Sequence, residues 1–415
     1  MPGARNWQTS PAVIVVDDAQ RRARLAQRHR LVPHARALTP AEAADAVVAL
    51  HATDPATVYL SAMARLAQPS VTAVAGAFHD DRSLIRHHAM RRTIWAMTPA
   101  VARSAHAACT AALAVVEWRK FARMVEESAI ATDGAAWVTA ARAETLAALH
   151  SLGSSSARDL AKHVPALTAK LLLAQGKSYA GTQSAHTRVL QNLGFDAAIV
   201  RTRPRAGWTS SEFTWAVMDD WLPGGIAGAD AAEARADLAS RYLRAFGPAT
   251  VADVQWWTGW SATVTKQTLA AVGAVDVQLS SGATAVVAAD DLDPMPDPGP
   301  WVAVLPGLDP TLMGWKGREW YLDGRGVFGG PLFDRNGNGG PTIWMDGQVV
   351  GGWVQAPDGS LRRRLLVDVP AARRRHIDDE LERMRDLIGD ARVTPRFPNP
   401  LLADLLRPDS DRRTS

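Results

Sequence analysis

The sequence predicts an α+β protein: three tandem winged-helix (helix-turn-helix) units followed by a small antiparallel, barrel-like β-domain. Three observations carry this expectation. Helix start signals and short breaks recur between residues 17 and 290. Strand-like pairs follow groups of helices, at Asp196–Thr202 with Phe213–Val217 and again around Ser281-Gly282. Beyond Pro300, the pairs Asp346-Gly347 and Asp358-Gly359 separate apolar runs, the pattern of hairpins between antiparallel strands.

Composition sets the outer limits. The chain has 415 residues, 47% hydrophobic and 21% charged, which excludes a disordered or fibrous protein and, at ~100–200 residues per domain, asks for several domains. Lys and Arg number 46 against 42 Asp and Glu, so the formal charge is 46 − 42 = +4, which suits an anionic partner. The single cysteine, Cys109, leaves no disulfide and no Cys/His spacing for zinc. No metal and no cofactor are expected. The apolar run Ala12–Val16 ends in two aspartates, too short for a signal peptide or a membrane span. The expectation is a cytoplasmic monomer, nucleoid-associated when bound to DNA, with no membrane partner.

Taken in order, Asp17–Leu31 reads as a basic helix with Ala23, Leu25, Ala26 and Leu31 on one face. Thr39-Pro40-Ala41-Glu42 is a capping box that starts the next helix. Asp54-Pro55 starts another and leaves His51-Ala52-Thr53 in the connection. From Asp80 to Pro99 a short helix and the strand-like Thr93–Met97 carry the densest basic stretch of the first third, and residues 100–130 form an alanine-rich helical connector. The first unit is therefore 12–133. The second, 134–229, has helices on both sides of Gly153–Ser156, a third over Gln183–Asn192, and two strands around the loop Arg203–Ser211. The third, 230–290, breaks at Gly247-Pro248, turns at Gly259 and restarts at the capping Ser261. Residues 291–300 hold four prolines and form an extended linker. The β-domain with its closing helix spans 301–390, and the proline-rich tail 391–415 is expected to fray.

The segments RARLAQRHRL, HATDPATVYLSAMARL, LIRHHAMRRTIWAMTP, RYLRAFGPATVADVQWWTGW, VLPGLDPTLMGW and PTIWMDGQVVGGW, in that order, resemble the AlkZ/YcaQ-like family. These are bacterial winged-helix DNA glycosylases for alkylated bases and crosslinks. The resemblance covers most of the chain. It implies three winged helices around a concave face for double-stranded DNA, with a hairpin of the β-domain (Asp346-Gly347 or Asn336–Gly340 here) probing the minor groove. Relatives hold the hydrolytic water with Gln-x-Gln or Gln-x-Asp ahead of Asp-Pro. Here those positions read His51-Ala52-Thr53 before Asp54-Pro55, and Trp95 stands where many relatives have histidine.

A cationic N3- or N7-alkylpurine is already a good leaving group, so the site must chiefly place water and stabilise an oxocarbenium-like sugar. His51 can accept a hydrogen bond from that water and Thr53 another; His51 can equally sit at a helix C-terminus. Asp54 offers a carboxylate to the sugar or serves as a helix cap. Arg86, Arg91, Arg92 and Thr93 are the DNA-binding candidates, with pairing of Arg91 and Arg92 to Asp80 or Asp81 as the plain alternative. Trp95, on the same short strand, is placed to face the lesion pocket. The favoured function is hydrolysis of the N-glycosidic bond of alkylated purines. A non-catalytic or regulatory DNA-binding protein is the alternative.

Overall fold

A computed structural model describes residues 14–173, 180–322 and 329–407. The chain begins with strand β1 (Val15–Val16) and helix α1 (Asp18–Arg28). The first group then comprises α2 (Pro40–Asp45), β2 (Leu50–His51), α3 (Pro55–Met63), α4 (Val71–His79), β3 (Ile85–His88) and β4 (Ile94–Met97), with its sheet ordered β2-β4-β3. Its helix starts are those of the sequence. Thr39 accepts from the Glu42 N–H at 3.2 Å and Asp54 from the Ala56 N–H at 3.1 Å. The basic stretch after Asp80 differs from expectation, because Ile85–His88 is a strand and all four of its side chains are buried. Both faces are covered, so the two-residue alternation that marks a half-exposed strand is missing.

Helices α5 (Pro99–Ala105) and α6 (Ala111–Glu127) are joined through a π turn at His106–Thr110 and lead to the second group. This has α7 (Gly134–Leu152), β5 (Ser155–Ser156), α8 (Ala157–His163), the hairpin β6 (Lys170–Leu173) and β7 (Gly181–Ser184), α9 (His186–Phe195), β8 (Ile199–Pro204), β9 (Phe213–Val217) and α10 (Met218–Trp221). The third has α11 (Ala231–Phe246), α12 (Val251–Thr258), α13 (Ala262–Ala271), β10 (Val275–Leu279) and β11 (Thr284–Val287). Here β1 adds to the hairpin, running parallel to β10 with Val15 opposite Gln278.

The C-terminal part holds β12 (Val302–Leu305), α14 (Pro310–Met313), α15 (Gly329–Leu332), β13 (Thr342–Met345), β14 (Gln348–Gln355), β15 (Leu361–Leu365), α16 (Ala371–Ile388) and α17 (Pro400–Leu406). Its sheet is ordered β12-β13-β14-β15 and stays open, with no pairing of β12 to β15, so the barrel-like expectation is corrected. Helix α16 packs on both edge strands instead. The tail also departs from expectation. Leu401, Leu402 and Leu405 are buried and α17 packs on β14.

Three hydrophobic clusters result. The largest joins the first and third groups to the C-terminal sheet and takes in Val200 and Ala216 of the second, a smaller one lies within residues 121–217, and a minor one gathers Val16 with Val277, Leu279, Ala285 and Val287. The large core encloses a polar network in which Arg65 and Asp309, both fully buried, pair at 2.7 Å. Ser61 donates to Asp309 at 2.7 Å, Arg65 to Thr311 at 2.8 Å, and His29 reaches Thr311 at 2.9 Å. The basic helix α1 is likewise turned inward. Arg24 and Arg28 meet Asp291 at 2.7 and 2.5 Å, and Arg21 stacks over Trp320. The linker carrying Asp291 is extended, as its prolines require, yet clamped to α1 by these contacts.

Candidate functional site

Strand β2 ends in the motif connection. The Ala52 N–H donates to the Ile94 carbonyl at 2.8 Å, and His51 stands opposite Trp95 across the sheet. His51 is only 4% exposed, packs on Trp95 with ring centroids 4.8 Å apart, and leaves Nδ1 buried without a partner. Burial, with Arg91 adding to it, pushes its pKa down to about 3. The expectation that His51 and Thr53 share a water is thus corrected for His51, whose ring belongs to the interior. Thr53 lines a large cleft, and its Oγ1 is buried with no hydrogen-bond partner. Asp54 is the N-cap of α3; its second oxygen accepts from the Arg396 N–H at 3.3 Å. Burial raises its pKa, and the helix and Arg396 N–H groups oppose that rise.

Between β3 and β4 the backbone makes a turn in which both Arg91 (φ 55°) and Arg92 (φ 62°) are left-handed. For residues other than glycine this conformation costs about 1–2 kcal/mol each, and it recurs where side chains must be aimed. The Met90 carbonyl holds the turn by accepting from Thr93 Oγ1 at 3.0 Å and Trp95 Nε1 at 3.1 Å. Arg91 is turned inward, its guanidinium 4.0 Å over the Trp256 ring, while Arg92 is exposed and lines the cleft with Thr93. The five DNA-binding candidates therefore divide. Arg86 is 3% exposed over the Phe78 ring, and Trp95 is fully buried between His51 and Trp257. Neither faces the cleft, which corrects both expectations, and Arg91 is corrected with them. Arg92 pairs with Glu117 at 3.5 Å rather than with Asp80 or Asp81.

The cleft is about 990 Å³ and lies between the Ala52–Pro55 connection, the β3–β4 turn, and the helices and strands of the second group. Its walls carry Arg92, Arg158, Lys170, Arg201, Arg205 and Arg396 against the single carboxylate of Glu212. Such an excess focuses positive potential between low-dielectric walls. Five of those cations went unnoticed in the sequence. A signal existed for two: Arg201, Arg203 and Arg205 occupy every second position along β8 and its end, the spacing that puts side chains on one face. Arg203 is taken by Asp80 at 2.9 Å. Nothing local pointed to Arg396, which comes from the tail and donates from Nη1 to the Thr53 carbonyl at 3.1 Å. Histidines also reach the cleft: His88, tilted against Phe195 with ring centroids 4.4 Å apart, is held neutral by burial with its pKa down to about 3. Among the described residues no three His, Cys, Asp or Glu side chains converge as metal ligands would.

Residues 44–387 match the model of a family described as DNA glycosylase AlkZ-like. The chain belongs to the AlkZ-like DNA glycosylase family. The fold is similar to that of the Streptomyces sahachiroi DNA glycosylase AlkZ: the TM-score is 0.68 at 20% sequence identity, covering 92% of this chain and 99% of that one. No curated protein sequence matches.

Within this AlkZ-like chain, the residues at the motif positions are chemically divided. Thr53 stands at the edge of a basic cleft with its Oγ1 buried and unpartnered, a hydroxyl whose chemistry allows it both to donate to and to accept from a water. Asp54 is occupied by backbone N–H groups. His51 is the packing layer beneath the connection, neutral throughout the physiological range.

Proposed function

We propose that this protein is a monofunctional DNA glycosylase that binds damaged duplex DNA in the cleft and hydrolyses the N-glycosidic bond of cationic alkylated purines. The observation that carries the reading is that Thr53, with its unpartnered hydroxyl, lines a cleft of six cations and one carboxylate. The helix and hairpin groups are read as three winged helices supplying that surface, in a cytoplasmic monomer that needs no cofactor. The residues at the motif limit the substrate. No carboxylate from the motif is free and His51 is buried, so the protein supplies little base catalysis. A base that departs unaided is required, and N3- or N7-alkylation provides it by making the leaving purine neutral. Thr53 then holds the water that captures the sugar cation.

A duplex oligonucleotide bearing one N7-methylguanine tests this. Release of free N7-methylguanine at neutral pH is expected with the wild-type protein and not with Thr53→Val, which should bind the duplex equally well. The burial of His51 and the capping role of Asp54 favour a second reading, a DNA-binding protein without catalysis. Salt-sensitive binding that leaves the adduct intact on prolonged incubation would establish that reading and end the first.

A further inference from the structure

Two of the cleft cations stand apart from the rest. Arg201 projects from β8 between Phe213 and Trp215, its guanidinium 5.7 and 5.0 Å from their ring centres, and its Nε is buried without a hydrogen-bond partner. Arg396 reaches the same cleft from the tail, anchored by its bond to the Thr53 carbonyl. Burial lowers the pKa of Arg201 to about 10, and the nearby charges of Arg86 and Arg396 push the same way. The carboxylates nearby are Glu212, which lines the same cleft, and Asp54 beside Arg396. Asp54, the acid beside Arg396, is engaged through the backbone N–H and by capping α3. Among the described residues neither Arg201 nor Arg396 takes part in an ion pair, whereas Arg92, Arg203 and Arg205 each do. Guanidiniums that share a cleft without an ion pair are unfavourable until an anion arrives, and a phosphodiester oxygen pair matches the fork geometry of each.

We propose that Arg201 and Arg396 form a two-cation seat for one DNA backbone phosphate, beside the nucleotide whose sugar faces Thr53, so that the C-terminal tail is part of the substrate-binding surface. The proposal rests on the DNA-binding reading above. It assigns the tail a task that its proline-rich sequence hides. Helix α17 is the anchor: Leu401, Leu402 and Leu405 are buried, and Asn399 caps it while donating to the Leu332 carbonyl at 2.8 Å. That docking fixes the position of Arg396.

The test measures affinity of the full-length protein for a duplex containing a stable abasic analogue, across a salt series. Arg201→Gln and Arg396→Gln remove charge while keeping an N–H donor. Each should weaken binding about 10- to 100-fold, as expected for losing charge-assisted hydrogen bonds. Because the two share one phosphate, the double variant should lower the slope of log affinity against log salt by about 0.9, the value for one contact. A neutral methylphosphonate walked along the strand should locate one position that weakens the wild type and leaves the double variant unaffected. Arg201→Lys and Arg396→Lys should keep the salt slope, which separates loss of charge from loss of packing. Wild-type affinity and slope in both Gln variants would overturn the seat while leaving DNA binding intact. Absence of duplex binding by the wild type would overturn both.

Discussion

Helix α1 and the cleft are both rich in arginine, and most of their arginines have opposite fates. On α1, Arg21, Arg24 and Arg28 are covered by Trp320 and Asp291 and hold the linker against the body of the protein. In the cleft, Arg158, Lys170, Arg201 and Arg396 have no ion-pair partner among the described residues and are open to solvent on one side. The density of positive charge along the chain is therefore a poor guide to where an anion binds. What distinguishes the two regions is whether the fold supplies a carboxylate, and that is decided by residues hundreds of positions away.

Acid should expose the difference between interior and cleft most strongly. His29, His51 and His88 are buried and neutral, each with its pKa down to about 3. In the unfolded chain they titrate near 6.5. Below that pH the unfolded state binds protons that the folded state refuses, so stability falls as pH drops from about 6.5 toward 3. Each group should remove about 2 kcal/mol by pH 5. Urea titrations at pH 7 and pH 5 check the sign and size, and His51→Phe should reduce the acid loss by its own share. A stability that rises on acidification would mean that these rings are charged in the fold.

The next largest effect belongs to the buried network. Asp309→Ala leaves Arg65 buried without its carboxylate and should destabilise the protein by about 3–5 kcal/mol in equilibrium unfolding, with unchanged DNA affinity of the folded molecule. Smallest, and most direct as a contrast, is the pair Arg24→Ala and Arg158→Ala. The first should lose about 1.5–3 kcal/mol of stability, the range for hydrogen bonds to a charged group, without altering the salt dependence of binding. The second should move stability by no more than about 0.5 kcal/mol yet flatten the salt slope by about 0.9. The reverse outcome would exchange the roles assigned to the two regions.

Much of the local architecture was legible because it is written in short-range chemistry. Thr39, Asp54 and Ser261 each accept from a backbone N–H at the helix start that their positions implied. The turn at Gly259, left-handed at φ 79°, falls where glycine punctuation put it. Ile85–His88 was misread because a strand covered on both faces and carrying Arg86, His87 and His88 has no alternation to detect. The tail's prolines concealed the apolar spacing of Leu401, Leu402 and Leu405. At the site, the motif could not say which side chains of the connection would face the cleft. Thr53, Arg92 and Thr93 do. His51, Arg86, Arg91 and Trp95 are taken by aromatic partners, among them Phe78, Trp256 and Trp257, that only the folded chain brings near.

The two larger hydrophobic cores give the cleft a mechanical property. One wall, with Thr53 and Thr93, rests on the larger core, and the other, with Leu167, Leu190 and Trp215, rests on the smaller. A bulky adduct that forces the walls apart strains the packing where Val200 and Ala216 of the second group join the larger core. The resistance it meets comes from the seam where β3 and α4 lie against β8, reinforced at its rim by Arg82 donating to the Trp221 carbonyl and by Arg203 with Asp80. Under the glycosylase reading proposed above, tolerance toward lesions of different width would be set at that seam, apart from the chemistry at Thr53.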